Sequence, residues 1–163
     1  MNKSNQIAII GVGCRFPGKA NSAEQLWNNA KKGIDAICDV PGSRWDVRKY
    51  YSENRKKPGK TYAKQGGFLS QRLDTFDPLF FNISPKEADV VDPMQRLLLE
   101  VSWEAMEDAG VTSDAIQKVK TGVFVGGFAI DNKTIQLDSQ NIYNIDSQTP
   151  FGVTHALLSN RLS

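Results

Sequence analysis

The chain has 163 residues, 40% hydrophobic and 23% charged, with a mean hydropathy of −0.40. Those proportions are globular and exclude an intrinsically disordered chain. Twenty basic residues against 18 acidic ones leave a net charge of +2, without the strong basic bias of a nucleic-acid or membrane-surface protein. The two cysteines, Cys14 and Cys38, form neither a disulfide framework nor a metal-ligand cluster and suit a reducing, cytoplasmic setting.

In chain order, Ile7 to Ile10 is an unbroken apolar run closed by Gly11-Val12-Gly13, the pattern of a strand buried on both faces. Four apolar residues are too few for a signal-peptide core or a membrane span. After the turn Cys14-Arg15-Phe16-Pro17-Gly18, the run Ser22-Ala23-Glu24-Gln25 reads as a capping box. It opens a helix to about Lys32 that stops at Gly33, with Leu26, Ala30 and Trp27 on its inner face. Residues 34–81 are irregular, broken by Pro41-Gly42, Pro58-Gly59 and Gly66-Gly67, and read as a loop-rich insertion within a single domain of residues 1–163. Between Arg44 and Lys64, eight basic residues face two acidic ones.

Ser84-Pro85-Lys86-Glu87 starts a short helix with Ser as N-cap, Pro at the first position and Glu at the third. Asp92-Pro93-Met94-Gln95 repeats that logic. The helix it opens runs from Pro93 to Ala109, with Met94, Leu97, Leu98, Val101, Ala105 and Ala109 as its apolar stripe and Gly110 as its C-terminal cap. Thr112 or Ser113 caps a short helix to about Lys118. Thr121 to Gly127 reads as a second buried strand, residues 131–149 are polar and undecided, and Pro150 to Ser163 has helical spacing through Val153, Ala156 and Leu157. Strand, helix, insertion, helix, strand, helix is an α/β order.

No complete catalytic set emerges from the residues themselves. Gly11-x-Gly13 is followed by Phe16 where a dinucleotide-binding loop needs a third glycine. Cys14 has Arg15 beside it but no assigned base, Cys38 has no activating neighbour, and the single histidine, His155, lies on a helical stretch. Glu100, Glu104, Glu107 and Asp108 read as a solvated helix face, and no metal-ligand set is present.

Taken as an ordered series, these segments resemble the opening of β-ketoacyl synthase (ketosynthase) domains of the polyketide synthase type. Ile7 to Gly18 resembles the family's first strand and turn, and Leu26-Trp27 its first helix. Val40-Pro41 through Arg44-Trp45-Asp46, then Gly66-Gly67-Phe68-Leu69, Phe76-Asp77-Pro78 and Phe80-Phe81, continue the pattern. Ile83 to Ala88, Val91 to Arg96 and Glu100 to Ala105 carry it most specifically, followed by Gly122 to Gly126 and Ser159-Asn160-Arg161-Leu162-Ser163.

The resemblance implies a thiolase-like fold, two α/β halves stacked α/β/α/β/α and usually dimeric, with this chain supplying the N-terminal half. It implies decarboxylative Claisen condensation of acyl and malonyl thioesters in polyketide or fatty-acid elongation. The thioesters are carried on phosphopantetheine of an acyl carrier protein, and no cofactor is bound directly. The family's nucleophilic cysteine follows the Asn-Arg-Leu-Ser stretch and its two histidines come later. Cys14, Cys38 and His155 match none of them, so no catalytic residue is assigned and the chain alone is expected to be inactive. Asp92, Pro93, Gln95, Arg96 and Arg161 are expected to support the family site, Asp92 and Pro93 by capping the long helix, Arg96 and Arg161 by pairing with buried carboxylates. Arg55, Lys56, Lys57 and Lys60 are expected to contact the carrier protein. The other expected partner is the remainder of the ketosynthase domain, with no nucleic acid and no membrane. A second reading is a non-catalytic half-domain or interaction module completed by another chain.

Overall fold

The computed structural model describes residues 6–163. They divide into two compact units: Cys14–Gln71, and Arg72–Ser163 together with the segment that ends at Gly13. The stretch 34–81 is thus shared between them.

In the unit Cys14–Gln71, helix α1 (Ala23–Lys31) begins at Ser22, whose Oγ accepts the backbone N–H of Gln25 at 3.2 Å. The Gln25 side chain reaches back to the N–H of Asn21 at 2.8 Å, so the capping box forms one residue wider than the sequence suggests. Gly33 follows with φ +63°, as a glycine that stops a helix does. The expected inner face is not covered: Leu26, Trp27 and Ala30 are all exposed. Strands β1 (Ile37–Asp39) and β2 (Gln65–Gly67) pair antiparallel, with Cys38 opposite Gly66. Between them lies the four-residue helix α2 (Val47–Tyr50), capped by Asp46. The one ladder among the described residues therefore sits inside the stretch that reads as irregular.

In the other unit, α3 (Pro85–Ala88) and α4 (Pro93–Asp108) start where the paired capping signals place them. Ser84 Oγ accepts the Glu87 N–H at 3.2 Å and Asp92 Oδ1 the Met94 N–H at 2.7 Å. Each cap satisfies an amide that a helix start leaves without an internal partner. The buried residues of α4 are Gln95 and Leu99, while Met94, Leu97, Leu98, Val101, Ala105 and Ala109 are half-buried. Leu99 joins Ile83 and Val91 in a small core, bordered by Phe76, Phe81, Ala88 and Leu162. Phe76 and Phe81 stack with ring centroids 5.3 Å apart.

Helices α5 (Ser113–Gln117) and α6 (Asp131–Gln136) follow, then a 3-10 turn at Ser139–Asn144, α7 (Thr149–Val153) and α8 (Leu157–Asn160). The expected single helix from Pro150 to Ser163 is broken at Thr154, whose φ of −94° and ψ of 113° are extended. A β-branched residue after Gly152 and Val153 gives the helix little local reason to continue.

The two expected strands do not form. Residues 6–13 and 121–130 carry no ladder partner. Ile7, Phe124 and Phe128 are 96%, 96% and 97% exposed. A strand exists only through its neighbours: without a second strand to accept and donate, an apolar run is a strand in sequence alone. Between residues 121 and 126 burial still alternates, Val123 and Val125 half-buried against an exposed Phe124. Residues 11–13 lie against α4 instead. A Cβ on Gly11 would stand 2.1 Å from the Ala105 carbonyl oxygen, and one on Gly13 2.3 Å from that of Val101. Only glycine permits so close an approach between backbones. Val12 N–H donates to Asp108 at 2.9 Å.

Candidate functional site

The five residues expected to support a site all fall in one region, where the starts of α3 and α4 meet α8. Both helices begin with a cap followed by proline, which supplies the required φ and lacks only an N–H that would have no partner there. In each, the third helical residue is polar: Glu87 in α3 and Gln95 in α4. In a capping box that side chain turns back onto the N-cap amide. Here neither does, and both turn to Arg161.

Arg161 Nη2 donates to Glu87 Oε1 at 2.6 Å and Arg161 Nε to Gln95 Oε1 at 2.7 Å. The ion pair is sheltered, with side-chain exposures of 14% for Arg161 and 20% for Glu87. Gln95 spends its amide on the Phe151 carbonyl oxygen of α7 at 3.2 Å. One guanidinium thus joins α3, α4 and α8 directly and α7 through Gln95. Arg161 does pair with a carboxylate, but a half-buried one rather than the buried one expected, and that partner, Glu87, is a residue the sequence marks only as a capping residue. The signal for it is a charged N3 side chain between two proline-opened helices.

Arg96 departs from the expectation. Among the described residues it pairs with no carboxylate; its guanidinium donates to the carbonyl oxygens of Val91 at 3.0 Å, Ala88 at 2.8 Å and Leu73 at 3.4 Å. The reason is local. The turn from α3 into α4 leaves carbonyls with no helical N–H to accept from, and a planar fork of donors satisfies several at once. Asp92, 6% exposed, caps α4, and Pro93 occupies its first turn.

The basic stretch lies in the unit Cys14–Gln71, and part of its charge is engaged. Arg48 pairs with Asp46 at 3.0 Å, and the hydrogen bond from Arg48 holds the Asp46 carboxyl below its usual range. Arg55 lies 4.6 Å over the Tyr62 ring, Lys64 5.4 Å over Tyr51, and Lys60 donates to the Lys49 carbonyl oxygen. Lys56 and Lys57 are exposed.

The two cysteines and the histidine lie outside this corner. Cys14 is buried and Cys38 exposed, both as free thiols. Arg15 bonds the Cys14 carbonyl oxygen at 3.0 Å. His155 Nε2 donates to the Ala129 carbonyl oxygen at 2.8 Å. The acidic face of α4 is more engaged than a solvated face, since Glu107 accepts from Trp103 Nε1 at 2.8 Å and Asp108 from Val12. Among the described residues, no group of His, Cys, Asp and Glu could hold a metal ion, and no helix is long and apolar enough to cross a membrane.

The chain is similar to known proteins over almost its whole length. Residues 4–163 match the family described as "Beta-ketoacyl synthase, N-terminal domain". The chain is 43% identical over 163 residues to a phenolphthiocerol/phthiocerol polyketide synthase of Mycobacterium tuberculosis, covering 99% of this chain and 7% of that protein. It is 41% identical over 163 residues to an erythronolide synthase of Saccharopolyspora erythraea, covering 99% of this chain and 4% of the relative. Among solved structures, an oxazolomycin ketosynthase domain of Streptomyces albus superimposes with a TM-score of 0.83 at 38% identity, over 95% of this chain and 26% of that one. The ketosynthase from module 6 of the bacillaene synthase of Bacillus subtilis gives 0.68 at 35% identity, over 90% and 24%. The fold is therefore thiolase-like, and this chain corresponds to its N-terminal part. The chain spans about a quarter of each of those solved domains.

Proposed function

The chain belongs to the β-ketoacyl synthase family, and we propose on that premise that it forms the N-terminal part of a condensing enzyme of a polyketide synthase. The reaction is decarboxylative Claisen condensation. A cysteine thiolate, carried on the turn that in this family follows Asn-Arg-Leu-Ser, attacks an acyl thioester and displaces the phosphopantetheine thiol of a carrier protein. A malonyl thioester on a carrier then loses carbon dioxide, and the resulting enolate attacks the acyl-cysteine, releasing the thiolate. Covalent capture divides one hard step into two easier ones.

Within that reaction the residues of this chain hold rather than react. Asp92 and Ser84 fix the helix starts, Arg96 closes the corner between them, and Arg161 ties the Asn160–Ser163 segment to both. The partners of this reading are an acyl carrier protein, the rest of the ketosynthase domain and a second copy in a homodimer, in the cytoplasm. The single observation that supports it most is that residues 4–163 match the N-terminal domain of this family. Lys56 and Lys57 suit a carrier-protein contact, because unengaged positive charge steers an acidic partner.

The test is acylation by an acyl-phosphopantetheine thioester, read by intact mass. The expected result is no mass gain for residues 1–163 alone and a gain when the downstream part of the domain is supplied. A stable acyl adduct on Cys14 or Cys38 would overturn the assignment of the nucleophile.

A further inference from the structure

We infer that Arg161 is a positioning residue for the condensing site, setting through Glu87 and Gln95 the direction in which the chain leaves the Asn160–Ser163 segment. This rests on the reading above, in which the nucleophile follows that segment.

Helix α8 has only four residues and no side-chain cap at its N-terminus, and a helix so short has no stability of its own. Its orientation is imposed by what anchors it. On one side the anchor is apolar, Leu158 being buried and Leu162 packed against the Ile83–Val91–Leu99 core. Such contacts are non-directional and tolerate rotation. The directional anchor is Arg161, whose fork is fixed at two points on two different helices, 2.6 Å from Glu87 and 2.7 Å from Gln95. Gln95 is 2% exposed and is itself held through the Phe151 carbonyl oxygen, so it cannot follow a drifting partner.

The diversion of both N3 side chains is the independent observation. Glu87 and Gln95 each forgo the amide that a capping box would offer them and converge on one guanidinium. Unlike lysine, arginine satisfies two acceptors from one planar group at fixed angles. A displacement of about 1 Å in a reacting group, caused from a distance, costs roughly 10²-fold in rate.

The experiment uses the intact ketosynthase-containing protein and measures single-turnover acylation, KM for the acyl thioester and thermal melting for wild type, R161M, R161K and E87M. If the inference holds, R161M acylates roughly 10²-fold more slowly with KM nearly unchanged, at temperatures where it is fully folded. R161K then recovers part of that loss by keeping one of the two bonds. If R161M fails to fold, E87M decides in the same way, since it keeps a side chain of similar length and removes the acceptor. A variant that melts lower yet acylates at the wild-type rate would overturn the positioning role and leave the proposed function standing. Absence of any acylation in the wild-type protein would overturn the proposed function, and this inference with it.

Discussion

Arg96 donates from Nη2 to the carbonyl oxygen of Ala88 at 2.8 Å, so a residue in the first turn of one helix closes the last turn of the helix before it. Val91 and Leu73 carbonyls share the same guanidinium. R96M keeps much of the packed stem and removes every donor, leaving partly buried carbonyls without a partner. Each such group costs about 1–3 kcal/mol, and a loss of about 2 kcal/mol or more is expected by denaturant titration of the intact domain. R96K, with one compact ammonium in place of a fork, recovers only part of it. An R96M protein as stable as wild type would show that the corner holds without those bonds.

The approach of residues 11–13 to α4 makes a steric prediction. A Cβ at Gly13 would lie 2.3 Å from the Val101 carbonyl oxygen, and a neighbour that is backbone cannot swing aside. G13A is expected to lower stability by about 1–3 kcal/mol, the usual cost of overpacking, while G42A, which meets no heavy atom within 4 Å, should be close to neutral. Equal melting temperatures for the two variants would contradict this.

Exposed apolar segments predict the solution behaviour of this length of chain. Ile7, Ile9, Phe124 and Phe128 are each at least 85% exposed, and the backbone around them carries no ladder bonds. Bare apolar surface and unpaired edges drive association. Residues 1–163 expressed alone should elute as oligomers or aggregates on size exclusion and bind a hydrophobic dye. A sharp monomer with a cooperative melt would disprove it.

Reversing the two solvent-facing lysines tests the carrier contact. K56E/K57E in the intact protein should slow carrier-dependent acylation, mainly in the association step, while leaving acylation from a free pantetheine thioester unchanged. The difference should shrink as salt is raised, since screening weakens steering. Unchanged carrier-dependent rates at low salt would remove this stretch from the interface.

One carboxylate has a legible titration. The hydrogen bond from Arg72 Nη2 at 2.5 Å holds the Asp74 carboxyl at about 2. The folded value lies below the ordinary one, so whatever the pair contributes is present above about pH 4. It is lost as pH falls through about 2. The pair is open to solvent, which keeps that contribution small. The direct check is a carboxyl NMR titration: a midpoint near 2 in wild type, moving up toward the ordinary carboxylate value in R72M. A wild-type midpoint at the ordinary value would contradict the pairing.

Local signals are legible wherever the physics is local. Ser22, Ser84 and Asp92 cap the helices that their sequence patterns predict, because a cap concerns one side chain and an amide two or three residues on. Gly33 and Gly110 stop their helices with positive φ for the same reason. The ordered motifs are enough to indicate the family, since each records a local backbone requirement.

What needs the tertiary structure is everything settled by residues far apart in the chain. Ile7 to Ile10 and Thr121 to Gly127 have the composition of buried strands and no ladder, because hydrogen bonds between strands cannot be made by one strand. Glu87 reads as a cap residue and Gln95 as a support of the site. That they share one guanidinium, 74 and 66 positions away, follows only from the folding of α8 against two helix starts. Sequence alone determined where α1, α3, α4 and α5 begin and which family architecture they serve. The tertiary structure decided which polar side chains meet, because a buried donor goes to whatever acceptor the fold brings within reach.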